Sequence, residues 1–487
     1  MSKTIDQLAP KAVWQNFYEL TQVPRPSKKE EKVQAHVLAF AREHGLEHQQ
    51  DEAGNIIIRK PASAGMENRR PVVLQAHLDM VCQKNGDVDF DFEQEAIRTQ
   101  IDGDWVSAQG TTLGADNGIG AAAILGVLAS QDIPHPPLEG LFTADEEAGM
   151  TGAHHLKGGM LRGEILMNLD TEDDDELSIG CAGGIDSNAQ WGYPEREVPS
   201  GYEALKLEIK GLYGGHSGMD IIEGRGNANK LLVRMLWDLP TQYQMGLAYL
   251  EGGGLRNAIP REAEAVVLIP TAQQSAIAEH WAGLREALQQ EFATTDPGLK
   301  IDWAPVERPP KMMTAAAAEQ LVLALQCVPD GIRRLSPDVE NLVETSNNLA
   351  HVCARDGQFS AKMLTRSDRD SAKYDLAHSV AAPFRLIGGT VSHSGAYPGW
   401  KLDPQAPMLQ MMEKLYRELF SESPRVLACH AGLECGLLGQ NYPDIEMISF
   451  GPTIKDPHSP DERVSISSVE KFWHYLQEAL KRVPAVE

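Results

Sequence analysis

Seven side chains in five separate blocks of the sequence are of the types that hold a divalent metal or carry protons. His77 and Asp79 stand two apart in QAHLDMV, Asp116 sits in TTLGADNGIG, and Glu146 and Glu147 follow Asp145 in TADEEAG. Asp170 ends LMNLD, and His458 lies in GPTIKDPHSPDE. Imidazole nitrogens and carboxylate oxygens are the donors that catalytic zinc takes. The same groups serve as general acids and bases. Each block also has an ordinary reading. His77 fits a hydrogen-bonded core histidine, Asp116 a helix N-cap, and Asp170 the start of the acidic surface run DTEDDDE. His458 fits a loop between prolines. The adjacent acids of TADEEAG fit a solvated loop tip, because like charges side by side repel.

What favours the chemical reading is joint placement. Up to about residue 180, helical periodicity (PKAVWQNFYELTQV, KEEKVQAHVLAFAREHG, NGIGAAAILGVLAS) alternates with short β-rich runs (GNIIIRK, PVVLQAHLDM, GEILMNLD). That alternation predicts an α/β layered domain with a largely parallel central sheet. Functional residues of such sheets gather beyond the carboxyl ends of the strands, and all five blocks fall at strand ends, at a helix start or in the loop between. From about Asp186 the rhythm changes to two sets of strands and helices, which predicts an inserted α+β domain of two tandem, ferredoxin-like units. After GAYPGW the first rhythm returns. The expected organisation is therefore one α/β domain built from residues 1–185 and 396–487, with 186–395 inserted.

Composition narrows the function class. At 487 residues the chain is long enough for two or three domains. A formal net charge of −25 argues against nucleic acid or an anionic membrane surface as partner. No run approaches the roughly 18 apolar residues that span a bilayer, and the start, MSKTIDQLAP, lacks the apolar core of a signal peptide. The six cysteines are scattered, with no C-x-x-C pair, which suits reduced thiols in a cytoplasm.

The set formed by H-x-D at His77–Asp79, the aspartate of GADNG, the Glu146–Glu147 pair, the strand-terminal Asp170 and the late His458 resembles the co-catalytic zinc peptidase superfamily. That superfamily includes aminoacylases, carboxypeptidases and carnosinase-type dipeptidases. The stretches LQAHLDMVCQK, AQGTTLGADNGIG, EEAGMTGA, GCAGGID, LRNAIPRE, HAGLECGL and GPTIKDPHSPDE narrow the resemblance to its bacterial Xaa-His dipeptidases. They extend it along nearly the whole chain.

The resemblance implies two zinc ions per chain, with cobalt or manganese as substitutes because such ligands select weakly. Asp116 would bridge the ions, His77 and Asp170 would complete one site, and Glu147 and His458 the other. Asp79 would orient the His77 ring, and Glu146 would be the general base; Asp145, outside the resemblance, keeps the reading of a solvated loop residue. In the inserted domain, expected to act as a lid, His216 of GLYGGHSGMD would polarise the scissile carbonyl, although alone it also reads as a surface-turn histidine. Asn257 of GGLRNAIP would lie near the substrate carboxylate. Arg366 of KMLTRSDRDS would pair with that carboxylate through its planar fork, with Arg369 and Arg256 as competitors. His393 of VSHSGAYPGW reads as a domain-junction loop. The implied substrate is a small peptide, an unblocked Xaa-His dipeptide including β-alanyl-histidine, and the expected assembly is a cytoplasmic homodimer. An N-acyl amino acid deacylase or tripeptidase on the same scaffold, and a non-catalytic metal-binding protein, remain as alternatives.

Overall fold

A computed structural model describes residues 4–337, 339, 341–401, 403–430 and 432–486. The chain divides into two compact units. The first comprises Met1–Gly180, Trp400–Ala428 and Leu433–Glu487, and the second Cys181–Gly399 and Cys429–Gly432. The junctions expected at 185/186 and 395/396 fall inside the second unit. Its strand Gly183–Gly192 follows Glu176–Cys181 with one residue between, and Thr390–Tyr397 pairs with that strand. The excursion at 429–432 has no counterpart in the sequence pattern.

The first unit is built on an eight-stranded sheet. Its order is Glu47–Gln50, Ile56–Lys60, Leu138–Thr143, Val72–His77, Ile165–Asn168, Glu446–Ser449, Glu176–Cys181, Arg425–Cys429. The expected parallel arrangement holds for the four strands from Leu138–Thr143 to Glu446–Ser449. Outside them the sheet turns antiparallel, through Ile56–Lys60 on one side and Glu176–Cys181 on the other. Val72–His77 is buried along its whole length, as a central parallel strand must be. Helix Ala115–Ala129 is buried from Ala115 to Leu128 and packs against Val72–His77 and against helix Lys11–Thr21. Its small side chains allow this. A Cβ on Gly120 would stand 2.6 Å from the carbonyl oxygen of Leu169, the residue before Asp170. A four-stranded antiparallel sheet, unforeseen in the sequence, joins Thr99–Asp102, Trp105–Ala108, Arg463–Ser465 and Ile454–Lys455. The loop carrying His458 is the turn between its last two strands in sequence.

The second unit has one continuous antiparallel sheet with its own apolar core, centred on residues such as Trp281, Leu321, Phe359 and Phe384. The order is Lys300–Pro305, Tyr202–Lys210, Ala263–Pro270, Gly246–Gly253, Val343–Arg355, Gln358–Ser367, Gly183–Gly192, Thr390–Tyr397, and Gly331–Leu335 pairs with Val343–Arg355. The first four strands with helices Ala228–Leu236 and Gln274–Glu291 form one βαββαβ set. The second set takes Gly183–Gly192 as its first strand, before the first set begins, and continues with Ala315–Cys327, Val343–Arg355, Gln358–Ser367, Asp370–Leu386 and Thr390–Tyr397. The two ferredoxin-like units are therefore nested rather than tandem. They join edge to edge where Gly246–Gly253 pairs with Val343–Arg355.

Because Gly120 lets the Asp116 helix approach the strand end bearing Asp170, Gly120→Ala should destabilise the first unit by about 1–3 kcal/mol. Urea denaturation followed by tryptophan fluorescence measures this, and an unchanged midpoint would show that the close approach is not needed.

Candidate metal centre

Parallel pairing sets the two sides of the site level with each other. Val72 pairs with Ile165 and Gln75 with Asn168, so the same register carried two residues further places Asp170 beside His77. On the other side His77 pairs with Thr143, and the short helix Glu146–Gly149 follows. Asp116 enters from the start of Ala115–Ala129, where Asp116 and Asn117 depart from helical dihedral angles and the peptide between them is cis. Its side chain caps no helix. One carboxylate oxygen lies 3.1 Å from His77 Nε2, and the other 3.1 Å from His458 Nε2. Asp170 Oδ1 is 3.5 Å from His77 Nε2, and Glu147 Oε2 is 3.0 Å from His458 Nε2. Two ligand-like clusters, His77–Asp116–Asp170 and Asp116–Glu147–His458, thus share Asp116, and Glu146 joins His77 and Glu147 in a third.

Asp79 is fully buried and organises this end of the sheet. Its Oδ1 lies 3.3 Å from His77 Nδ1 and accepts from the Glu146 amide at 3.0 Å. Its Oδ2 accepts from Ser27 Oγ at 2.7 Å and from the Glu147 amide at 3.2 Å. Asp145 is not the solvated residue expected of a loop tip. It is buried, its carboxylate accepts from Thr151 Oγ1, and its amide donates to Glu30 at 2.8 Å. Asp145 and His458 both hold left-handed backbone angles, φ 52° and 60°. For residues other than glycine that costs energy and clusters at functional sites.

Other groups at this site carry no signal in the sequence. Arg25, fully buried, donates to the carbonyls of Leu78 and Asp79, both at 3.0 Å, and to that of Gly114. Glu434 Oε2 accepts from Gln75 Nε2 at 2.6 Å and Thr143 Oγ1 at 2.7 Å, while its Oε1 is buried with no hydrogen-bond partner among the described residues. Glu462 caps the backbone at Leu113–Asp116. HAGLECGL and GPTIKDPHSPDE contain the two glutamates, but nothing local distinguishes them from surface acids.

Electrostatics follow from burial and crowding. Burial pushes Glu146 well up and Asp170 up to about 6, with neighbouring carboxylates adding to both. Burial likewise raises Glu172 to about 8 and Glu434 to about 7. Asp116 is also penalised by burial, but hydrogen bonds from His458 and His77 hold it below the usual carboxylate range. His458 is pushed up to about 11 by Asp116 and Glu147. The donors fit two divalent cations: nitrogen and oxygen ligands only, one carboxylate with its oxygens divided between two histidines, and a buried Glu147 Oε1 with no hydrogen-bond partner among the described residues.

The motif residues, their register and the shared carboxylate agree with the resemblance read from the sequence. The chain belongs to peptidase family M20/M25/M40. Residues 73–482 match that family. The cytosol non-specific dipeptidase of Escherichia coli (strain K12) is 43% identical over 481 residues, 99% of either chain. The crystal structure of aminoacylhistidine dipeptidase from Vibrio alginolyticus is 42% identical and superposes with a TM-score of 0.92, covering 100% of this chain and 99% of that one. A tripeptidase from Staphylococcus aureus, 15% identical with a TM-score of 0.55 over 98% of this chain and 99% of that one, shares the fold alone.

The second unit brings the other three expected residues together. His216 pairs in a short ladder with Ala258, next to Asn257, whose carbonyl accepts from the Ser217 amide at 2.7 Å. Arg366 Nη2 is 3.5 Å from His216 Nε2, and its Nη1 is 3.0 Å from Tyr397 Oη. The competing arginines are engaged by acids, Arg369 with Glu344 at 3.2 Å and Arg256 with Asp186 at 3.0 Å. Arg366 is buried, and its Nε has no hydrogen-bond partner among the described residues. His430, a further buried residue unsignalled in the sequence, lies 2.8 Å from Ser346 Oγ, and burial beside Arg366 and His216 pushes it down to about 3. His393 is not in a junction loop. It lies on edge strand Thr390–Tyr397 with its Nδ1 2.9 Å from Ser187 Oγ. Among the described residues no helix is long and apolar enough to cross a membrane.

The titrations have a sign. Asp170 and Glu434 titrate near 6 and 7 when folded, against about 4 when unfolded. The folded chain therefore holds more protons, and these groups lose stability as pH rises from about 4 to 7. His458 adds stability fully present below its unfolded pKa of about 6.5, and lost as pH rises towards about 11. Urea denaturation in excess chelator should show stability falling between pH 5 and 8, on the order of 1 kcal/mol or more. A rise over that interval would contradict the assignment.

Proposed function

We propose that the chain is a metal-dependent dipeptidase that hydrolyses unblocked dipeptides, Xaa-His and β-alanyl-histidine among them. The observation that carries this reading is the division of the Asp116 carboxylate between His77 and His458, with Glu146 in the same cluster of donor atoms. The likeness to two dipeptidases over essentially the whole chain supports the substrate class.

His77, Asp116 and Asp170 would hold one zinc ion, and Asp116, Glu147 and His458 the other, with cobalt or manganese as substitutes. When bound, the two ions acidify a water and polarise the carbonyl of the scissile bond. Glu146 takes the proton of the attacking water and hands it to the leaving amine. Its burial suits this, because a carboxyl with a raised pKa holds a proton better near neutral pH. Asp79 fixes the His77 ring and, through the two amides it accepts from, the start of the Glu146–Glu147 turn. In the second unit Arg366 is assigned to the substrate carboxylate because, unlike Arg369 and Arg256, it has no acid within ion-pair distance among the described residues. His216 is assigned to the scissile carbonyl and Asn257 to the substrate's carboxylate end. A cytoplasmic location, in line with the name of the Escherichia coli relative, and a homodimer complete the reading. The homodimer is checked by mass in solution.

Three outcomes are expected. The zinc-loaded protein should cleave an Xaa-His dipeptide at least about tenfold faster, in kcat/KM, than its N-acetylated form. The reverse order would make the chain a deacylase. Glu146→Gln should lower kcat by about 10²–10⁴-fold while zinc content, measured by plasma emission, stays at two per chain. Retained activity would remove Glu146 as the base. Zinc loading should raise the melting temperature over that of chelator-treated protein, and equal melting of the two forms would contradict the metal centre.

A further inference from the structure

Glu462 lies four residues beyond His458, in the turn between Ile454–Lys455 and Arg463–Ser465. It is buried, and its carboxylate accepts from main-chain amides. Oε2 accepts from the amides of Leu113 and Gly114 at 2.7 and 2.9 Å, and Oε1 from those of Ala115 and Asp116 at 2.7 and 3.3 Å. Four successive amides converge on one carboxylate because Gly114 takes a left-handed φ of 73°, which curls the chain into an anion-binding concavity. The last of the four is the amide of Asp116. One side chain thus ties the loop of His458 to the backbone of the residue whose oxygens reach both histidines.

We propose that Glu462 is a positioning residue for metal: it fixes the Asp116 backbone and couples it to the His458 loop, so that the shared carboxylate and His458 are set together. This rests on the reading of Asp116 and His458 as metal ligands. The charge and both oxygens of the glutamate are needed. A glutamine offers one acceptor oxygen, and its amide group would face amide donors, leaving buried N–H groups unsatisfied. An aspartate is one methylene shorter and cannot span both pairs.

The test is zinc retention by the full-length chain against a graded chelator series, with circular dichroism recorded on each variant. Glu462→Gln should lose zinc affinity by about 10–100-fold with the dichroism spectrum unchanged. Glu462→Ala should lose it too and recover part of it in acetate, a carboxylate of the deleted size that refills the concavity, but not in chloride at equal ionic strength. Glu139→Gln controls for general destabilisation. Glu139 is a buried carboxylate held by Arg59 and by the amides of Arg162 and Gly163, at the strand end away from Thr143, and its replacement should leave zinc retention as in the unmutated chain. Asp116→Asn separates the two levels of inference. If it loses zinc while Glu462→Gln holds it at full affinity, Glu462 has no positioning role and the metal reading stands. If Asp116→Asn itself retains both ions, the ligand reading falls. Should Glu462→Gln fail to fold, Glu462→Asp is read instead: an intermediate loss is expected, and full affinity would overturn the proposal.

Discussion

Crowded negative charge, only partly compensated by nearby cations, is the constraint on which the first unit depends. Asp116, Glu146, Glu147 and Asp170 crowd one end of the sheet, with donor atoms within 4.8 Å of one another inside each cluster. Two carboxylates about 5 Å apart repel by about 3 kcal/mol at an effective dielectric constant of about 20. The buried guanidinium near them, Arg25, spends its donors on the carbonyls of Leu78, Asp79 and Gly114. Main-chain amides hold the carboxylates around the crowded acids: the amides of Glu146 and Glu147 donate to Asp79, that of Asp145 to Glu30, and those of residues 113–116 to Glu462. Amide dipoles fix carboxylates in place without cancelling their charge. That leaves a demand for positive charge which the protonated histidines answer in part, and which dications answer fully.

The sheet makes such crowding feasible. Parallel strands end together, so residues separated by about ninety positions stand side by side with no loop to order. Gln75 beside Asn168, with Asp170 two residues on, is the case in point. A residue arriving from elsewhere needs its own support. His458 has the small antiparallel sheet under it, and Asp116 has a buried helix whose Gly120 closes on Leu169. The left-handed angles of Asp145 and His458 belong to the same logic, because the packed surroundings hold conformations that an isolated turn would abandon.

Sequence legibility follows the range of the interaction. The helices Lys11–Thr21, Glu31–Glu43 and Ala115–Ala129 and the strands Val72–His77 and Ile165–Asn168 stand where periodicity places them, since periodicity is local. The five ligand-type blocks were legible because residue type and strand-end position coincide in each. Glu462 was not, because its partners lie about 350 residues away. Nor was Glu434, whose partners Gln75 and Thr143 are as remote in sequence. Asp145 read as solvent-facing because burial depends on Glu30 and Thr151, which no window around TADEEAG contains together. The nested order of the second unit escaped for a related reason. Its discontinuous half begins with Gly183–Gly192, which in sequence looks like the tail of the first unit.

Buried polar groups left without a partner are places where a fold can take a ligand. The scaffold is shared with a tripeptidase at 15% identity, so architecture cannot choose the substrate. Three arginines were candidates for a substrate carboxylate, and their sequence surroundings did not rank them. Their partners differ. Arg369 and Arg256 each have an acid within ion-pair distance, so recruiting either to a ligand would break an existing pair. Arg366 is buried against a tyrosine hydroxyl and a histidine ring, with no acid within ion-pair distance and its Nε without a hydrogen-bond partner among the described residues. A buried cation with an unused donor favours an anion from outside the chain, because binding it repairs a desolvation cost the fold has already incurred. At the metal centre the same criterion points to Glu147 and Glu434 alike, each with a buried carboxylate oxygen that has no hydrogen-bond partner among the described residues.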